Sequence, residues 1–138
     1  MNILFDTNIF IDVSLKRAPF FSDSFEALNK VDGINVNGYI LASTFTDIYY
    51  ICKKNIGHDR TIDILTTLIG TVNILGINHD TIIFAIHSKF SDFEDAVQNA
   101  AAELNQIDLI VTRNVKDFVS SKIAVQTPTE FLKNIINN

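Results

Sequence analysis

Asp6 closes the short apolar run Ile3-Leu4-Phe5 and opens Asp6-Thr7-Asn8-Ile9-Phe10-Ile11-Asp12, where a helical pattern begins. A carboxylate at the exit of a first strand stands where α/β proteins place catalytic groups. Two further acids stand at the heads of later apolar helices: Asp47 in Thr44-Phe45-Thr46-Asp47-Ile48, and Asp95 in Asp92-Phe93-Glu94-Asp95-Ala96. The segment Thr112-Arg113-Asn114-Val115-Lys116-Asp117-Phe118 follows another strand-like run. Magnesium or manganese takes oxygen ligands in an octahedron, so its site asks for two or three carboxylates converging from different elements. Asp6, Asp47 and Asp95 meet that requirement, and packed together they would repel strongly without a cation. Such a set points to metal-assisted hydrolysis of a phosphate ester.

Each acid also has a plainer role open to it. Asp6 suits a helix N-cap, Asp47 a solvated helix face, Asp92 and Glu94 a first helical turn, and Asp117 the cap of a turn after Asn114. Their shared place, each on the strand-end side of its own βα unit, favours a site. Other chemistries lack their residues. Gly33, Gly38, Gly57, Gly70 and Gly76 match neither a phosphate-binding loop nor a dinucleotide fingerprint, and no G-x-S-x-G occurs. His58, His79 and His87 lack metal-ligand spacing. A haloacid-dehalogenase-type site would want Asp where Asn8 stands, and a receiver domain would want an Asp ending a central strand, which Gly38 to Ala42 and Val72 to Leu75 lack.

The elements that would carry these residues alternate. Strand-like runs cover Asn2 to Phe5, Gly38 to Ala42, Val72 to Leu75, Ile107 to Thr112 and Ile123 to Gln126. Helical patterns cover Asn8 to Leu15, Phe20 to Val31 opened by Pro19, Ser43 to Lys54, Thr61 to Ile69, Asp80 to His87 and Asp92 to Asn105. In the last of these, Ala96, Ala100, Ala101 and Ala102 would let the backbone lie close to a sheet. Thr127-Pro128-Thr129-Glu130 is a capping box with proline at the first helical position, ahead of Phe131 to Ile136. Alternating apolar strands and helices imply a parallel sheet of about five strands covered on both faces, with the strand C-terminal ends on one edge.

At 138 residues the chain fits a single domain, residues 1–138. No apolar stretch approaches the roughly 20 residues of a membrane span, and the N-terminus lacks the basic region of a signal peptide, so a cytoplasmic location is expected. A lone cysteine, Cys52, excludes an internal disulfide and suits a buried, inert thiol. The net charge of −5 argues against a broad basic face for duplex nucleic acid. It is compatible with a nuclease whose acidic centre is offset by metal and local Lys or Arg.

In order and spacing, these segments resemble the PIN domain, and within it the VapC-like ribonuclease toxins of prokaryotic toxin-antitoxin modules. The resemblance rests on Leu4-Phe5-Asp6-Thr7-Asn8-Ile9-Phe10-Ile11-Asp12, on Phe93-Glu94-Asp95-Ala96, and on Ile110-Val111-Thr112-Arg113-Asn114-Val115-Lys116-Asp117-Phe118, and it spans nearly the whole chain. It implies a three-layer α/β/α fold around a central parallel sheet and an acidic pocket for Mg2+ or Mn2+. The implied activity is endonucleolytic cleavage of single-stranded RNA or tRNA. By position, Asp6 matches the first acid of the family and Asp95 the third. Asp47 falls where a glutamate is usual, one methylene longer. Asn114 stands where many relatives carry aspartate, leaving the fourth negative charge to Asp117.

The resemblance thus assigns the metal to Asp6, Asp47 and Asp95, adds Asp117 to the catalytic set, and gives supporting places to Thr7, Asn8, Asp92, Thr112 and Asn114. Lys16, Arg17, Arg113 and Lys116 lie near enough in sequence to contact RNA phosphates. A small antitoxin and a homodimer are the implied protein partners; Phe20, Phe21 and Phe25 could serve such a surface, with core packing the expected role for most of them. The departures at Asp47 and Asn114 keep open a second reading, a PIN-like fold without turnover that serves as a binding or scaffold module.

Overall fold

In the computed structural model, which describes residues 1–137, five strands form one parallel sheet. They are β1 (Asn2–Phe5), β2 (Asn37–Leu41), β3 (Asn73–Leu75), β4 (Leu109–Val111) and β5 (Ala124–Gln126). Between and after them run α1 (Thr7–Ser14), α2 (Phe21–Asn29), α3 (Thr44–Ile56), α4 (His58–Thr71), α5 (His79–Ile86), α6 (Phe93–Leu104) and α7 (Pro128–Ile136), with a 3-10 turn at Val115–Phe118. The sheet order is β3-β2-β1-β4-β5. The chain therefore builds outward from β1 on one side, then returns to its other side with β4. The switch point lies between β1 and β4, and their registered partners include Phe5 with Val111. Asp6 and Thr112 are the next residues of those two strands.

Alternation along the central strands sorts the core into two layers. Ile3, Phe5, Ile40, Leu109 and Val111 face Phe10 of α1, Leu28 of α2, Ile48 of α3 and Phe131 of α7. Leu4, Leu41, Leu75 and Ile110 face Ala85 of α5 and Ala96, Ala100, Ala101 and Ala102 of α6. The small side chains of α6 let its backbone approach the sheet, as the alanine-rich sequence implies. Cys52 is buried in the first layer, and burial raises its thiol pKa, so it stays protonated and inert.

Local signals set the boundaries. Thr127 and Glu130 form the expected capping box: the Thr127 N–H donates to Glu130 Oε2 at 2.8 Å and the Glu130 N–H to Thr127 Oγ1 at 3.2 Å. Asp32 accepts from the N–H groups of Ile34, Asn35 and Val36, which folds the loop leading to β2. Two expectations shift. Pro19 precedes α2, which starts at Phe21, instead of opening it. The helix expected from Thr61 begins at His58, because Gly57, at φ 84°, alone separates α3 from α4. Gly38 meets a tighter constraint: a Cβ there would lie 2.7 Å from Val31 Cγ2 and 3.0 Å from Val72 Cγ1.

Candidate active site

Asp6 is buried at the end of β1 and held from four directions. Its Oδ1 accepts from the Thr7 N–H at 2.7 Å and from Gln98 Nε2 at 2.6 Å. Its Oδ2 accepts from Thr112 Oγ1 at 2.7 Å and from Asn8 Nδ2 at 3.1 Å. The residue is the N-cap of α1 as well, so the plain role and the site role coexist. A carboxylate offers about four lone-pair directions, and all are taken. A cation reaching Asp6 must open one bond. Asn8 makes the longest of the four and lines the adjoining cavity, whereas Gln98 and Thr112 are buried behind it.

That cavity, about 280 Å³, is shared by Asp6, Thr7, Asn8, Asp92, Asp95 and Asn114, all six expected from the sequence, together with Ile11, Arg17 and Glu94. Asp92 caps α6 by accepting from the Asp95 N–H at 3.0 Å. Asp95 carries the strain of the cluster. Burial first, then the neighbouring Asp6, Asp92, Asp117 and Glu94 carboxylates, push its pKa from the ordinary 3.8 to about 7.

Three expected residues stand around this cavity without lining it. Thr112 is fully buried behind Asp6, and its Oγ1 also accepts from the Asn114 N–H at 3.0 Å, tying the post-β4 segment to β1. Asp117, in the 3-10 turn, reaches Asp95 through its charge. Asp47, in the first turn of α3, stands near Glu94: partial burial, then the Asp47 and Asp6 charges, raise the Glu94 pKa.

Glu94 and Gln98 are the residues that sequence reasoning left out. Glu94 reads as an ordinary first-turn acid, yet it lines the cavity and its carboxyl feels the Asp47 charge. Gln98 reads as one polar residue of a helix, yet it is buried on the sheet side with its Nε2 on Asp6 and its Oε1 without a partner. Its signal was spacing, since it follows Asp95 by three residues and so shares its helix face.

The basic residues divide. Arg17 lines the acidic cavity. Arg113 turns away from it, and its Nε lies 2.6 Å from Oδ2 of Asp12, a carboxylate with no solvent exposure. Burial raises the Asp12 pKa, while Arg113 and Arg17 pull it down. The Arg113 guanidinium also lies 4.0 Å above the Phe20 ring centre. Phe20 and Phe25 remain 40% exposed, so they do not pack the core as expected, and Phe21 stacks on Phe25. None of the three histidines lines the acidic cavity.

The family model of the PIN domain matches residues 2–116. The chain belongs to the PIN domain family. Among solved structures, this PIN domain resembles a toxin-antitoxin complex from Klebsiella pneumoniae at 28% identity and TM-score 0.70, over 91% of this chain and 97% of that one. It resembles VapBC2 from Rickettsia felis, bound to a DNA fragment from its promoter, at 15% identity and TM-score 0.71, over 92% and 98%. Mycobacterium tuberculosis VapC20, described as a sarcin-ricin loop cleaving toxin, aligns at 10% identity and TM-score 0.64, over 78% and 86%. Among curated proteins no sequence matches.

The donor set of this PIN domain suits a hard divalent cation. Every acid around the cavity offers oxygen, the arrangement is net negative, and the buried Gln98 Oε1 beside Asp6 lacks a donor that a hydrated ion's water could provide. Among the described residues, no three His, Cys, Asp or Glu side chains yet converge in ligand geometry.

Proposed function

We propose that this PIN domain is a divalent-metal-dependent endoribonuclease that cuts single-stranded RNA or tRNA, and that it is the toxin of a type II toxin-antitoxin pair. The observation that carries the reading is Asp6, locked by four hydrogen bonds beside an Asp95 carboxyl driven up to about 7. Such a pair invites a cation. Asp6 and Asp95 would hold Mg2+ or Mn2+, with Asp92 within reach and Asp47 acting through Glu94. When bound, the ion supplies charge neutralisation for the phosphodiester and a lowered pKa for a water it carries. Asn8 would release Asp6 on loading, Thr112 and Gln98 would keep its carboxylate in place, and Arg17 would receive a phosphate oxygen at the cavity rim. Asn114, with Asp117, would orient the attacking water.

The likeness to toxin-antitoxin complexes supports a small antitoxin as partner, and the family resemblance supports a homodimer and a cytoplasmic site of action. Among the described residues no helix is long and apolar enough to cross a membrane. A second reading, a PIN-fold scaffold without turnover, is favoured by one observation: the lone pairs of Asp6 are already saturated by protein donors. Labelled single-stranded RNAs and total tRNA incubated with Mg2+, Mn2+ or EDTA, beside Asp6→Asn, separate the two. Metal-dependent cuts lost in the variant support the nuclease; a folded, antitoxin-free protein that cuts nothing supports the scaffold.

A further inference from the structure

On the same edge of the sheet, lined in part by Arg113, lies a second cavity of about 260 Å³ that the acidic centre does not use. We propose that this cavity is a nucleobase pocket that selects a guanine beside the cleaved phosphate of the RNA strand. The proposal rests on the ribonuclease reading above.

Position makes the pocket part of the substrate path. Arg113, which lines it, directly follows Thr112, which holds Asp6, and its N–H approaches Asn8 Oδ1 at 3.5 Å. On the other side, the Arg17 carbonyl accepts from the Phe20 and Phe21 N–H groups at 3.0 and 2.8 Å, so the residue at the rim of the acidic cavity carries the turn that walls the second one.

The chemistry distinguishes a base from a phosphate. Arg113 brings a planar guanidinium stacked on Phe20, but Asp12 offsets its charge and Asp23 adds a second carboxylate at the pocket, so an anion gains little there. A base edge that both accepts and donates fits better. Arginine donors suit guanine O6 and N7, while the Asp23 carboxylate suits its N1–H and amino group; adenine would turn an amino donor toward Arg113. Ser24 is fully buried, lines the cavity, and has a hydroxyl with no partner, an unmet hydrogen bond that a ligand would complete. Thr129 donates to Asp23 and holds its carboxylate in place. Single-stranded bases are commonly read by such stacked planes and edge contacts.

The test uses the full chain carrying Asp6→Asn, so that binding is read without cleavage. Fluorescence anisotropy with labelled uridine tracts containing one central guanine or one central adenine should show roughly tenfold tighter binding of the guanine strand. Adding Asp23→Asn should bring the ratio of the two affinities close to one, and Ser24→Ala should reduce it in part, with thermal unfolding confirming that each variant folds. Equal affinity for both strands, or a guanine preference that survives Asp23→Asn in a folded protein, overturns the pocket while leaving RNA as substrate. No binding to either strand overturns the pocket and the RNA reading together.

Discussion

Gln98 donates its side-chain amide to Asp6 Oδ1 across 2.6 Å, although the two residues lie 92 positions apart in the chain. The bond makes α6 a part of the acidic centre beyond the acids at its head, and it gives the first prediction. Gln98→Leu keeps the volume and removes both the donor and the buried, unpartnered Oε1, so the fold should lose little. Freed from one of its four restraints, Asp6 should bind Mn2+ roughly 10–100-fold more weakly, the usual effect of losing a group that orients a metal ligand. Isothermal titration of the variant with Mn2+ measures this; an unchanged affinity would show that Thr7, Asn8 and Thr112 suffice.

Asp6→Asn should abolish metal-dependent cleavage and keep the far-UV circular dichroism spectrum. An amide can accept at one atom only, so two of the four donors now facing Asp6 meet an N–H group instead. Loss of these bonds is worth about 1–3 kcal/mol each when the groups are buried, partly offset by relief of repulsion with Asp95. A modest fall in Tm with complete loss of cutting is the expected pattern, and an active variant would refute the assignment.

The raised Asp95 pKa fixes a sign for pH dependence. Its folded value, about 7, exceeds the ordinary 3.8, so the fold favours the protonated carboxyl. The metal-free protein should be most stable with respect to this group below about pH 4, and should lose that contribution as pH rises through 7. A divalent cation should reverse the loss, because it stabilises the ionised form. Thermal unfolding from pH 5 to 8, with EDTA and with Mn2+, tests the crossing of the two curves; parallel curves would count against Asp95 as a ligand.

Arg113→Leu leaves Asp12 buried without its nearest counter-charge. Removing one member of a buried pair costs about 3–5 kcal/mol, and Arg17 recovers only part of it. Urea unfolding should show the loss at pH 7 and a smaller one at pH 5, where Asp12 is more readily protonated. Asp12→Asn in the same protein should restore part of the stability.

Gly38→Ala tests packing away from the site. The added methyl would overlap Val31 and approach Val72, both packed beside β2. Overpacking of this kind costs about 1–3 kcal/mol, seen as a lower urea midpoint with metal binding retained.

Much of this arrangement was legible because local signals carried it. Asp6, Asp95 and Thr112 stand at changes from apolar strand to helix or turn, and the Thr127 capping box is written in consecutive residues. Gln98 was harder to read: its spacing from Asp95 gives its helix face, but that this face meets Asp6 is seen only once α6 lies against the sheet. Asp12 and Arg113 hid for a similar reason: their pairing exists only where the end of α1 meets the exit of β4. Core packing was expected for most of Phe20, Phe21 and Phe25, and the exposed place of Phe20 under Arg113 follows from that same junction.

The central position of β1 has a consequence for synthesis. The first strand to leave the ribosome needs β4 as its neighbour, and the Asp6 carboxylate needs Gln98 and Thr112, which emerge far later. Closing loops of that length is entropically costly and cannot precede translation of the residues themselves. A nascent or prematurely released chain ending before Thr112 therefore lacks an assembled acidic centre.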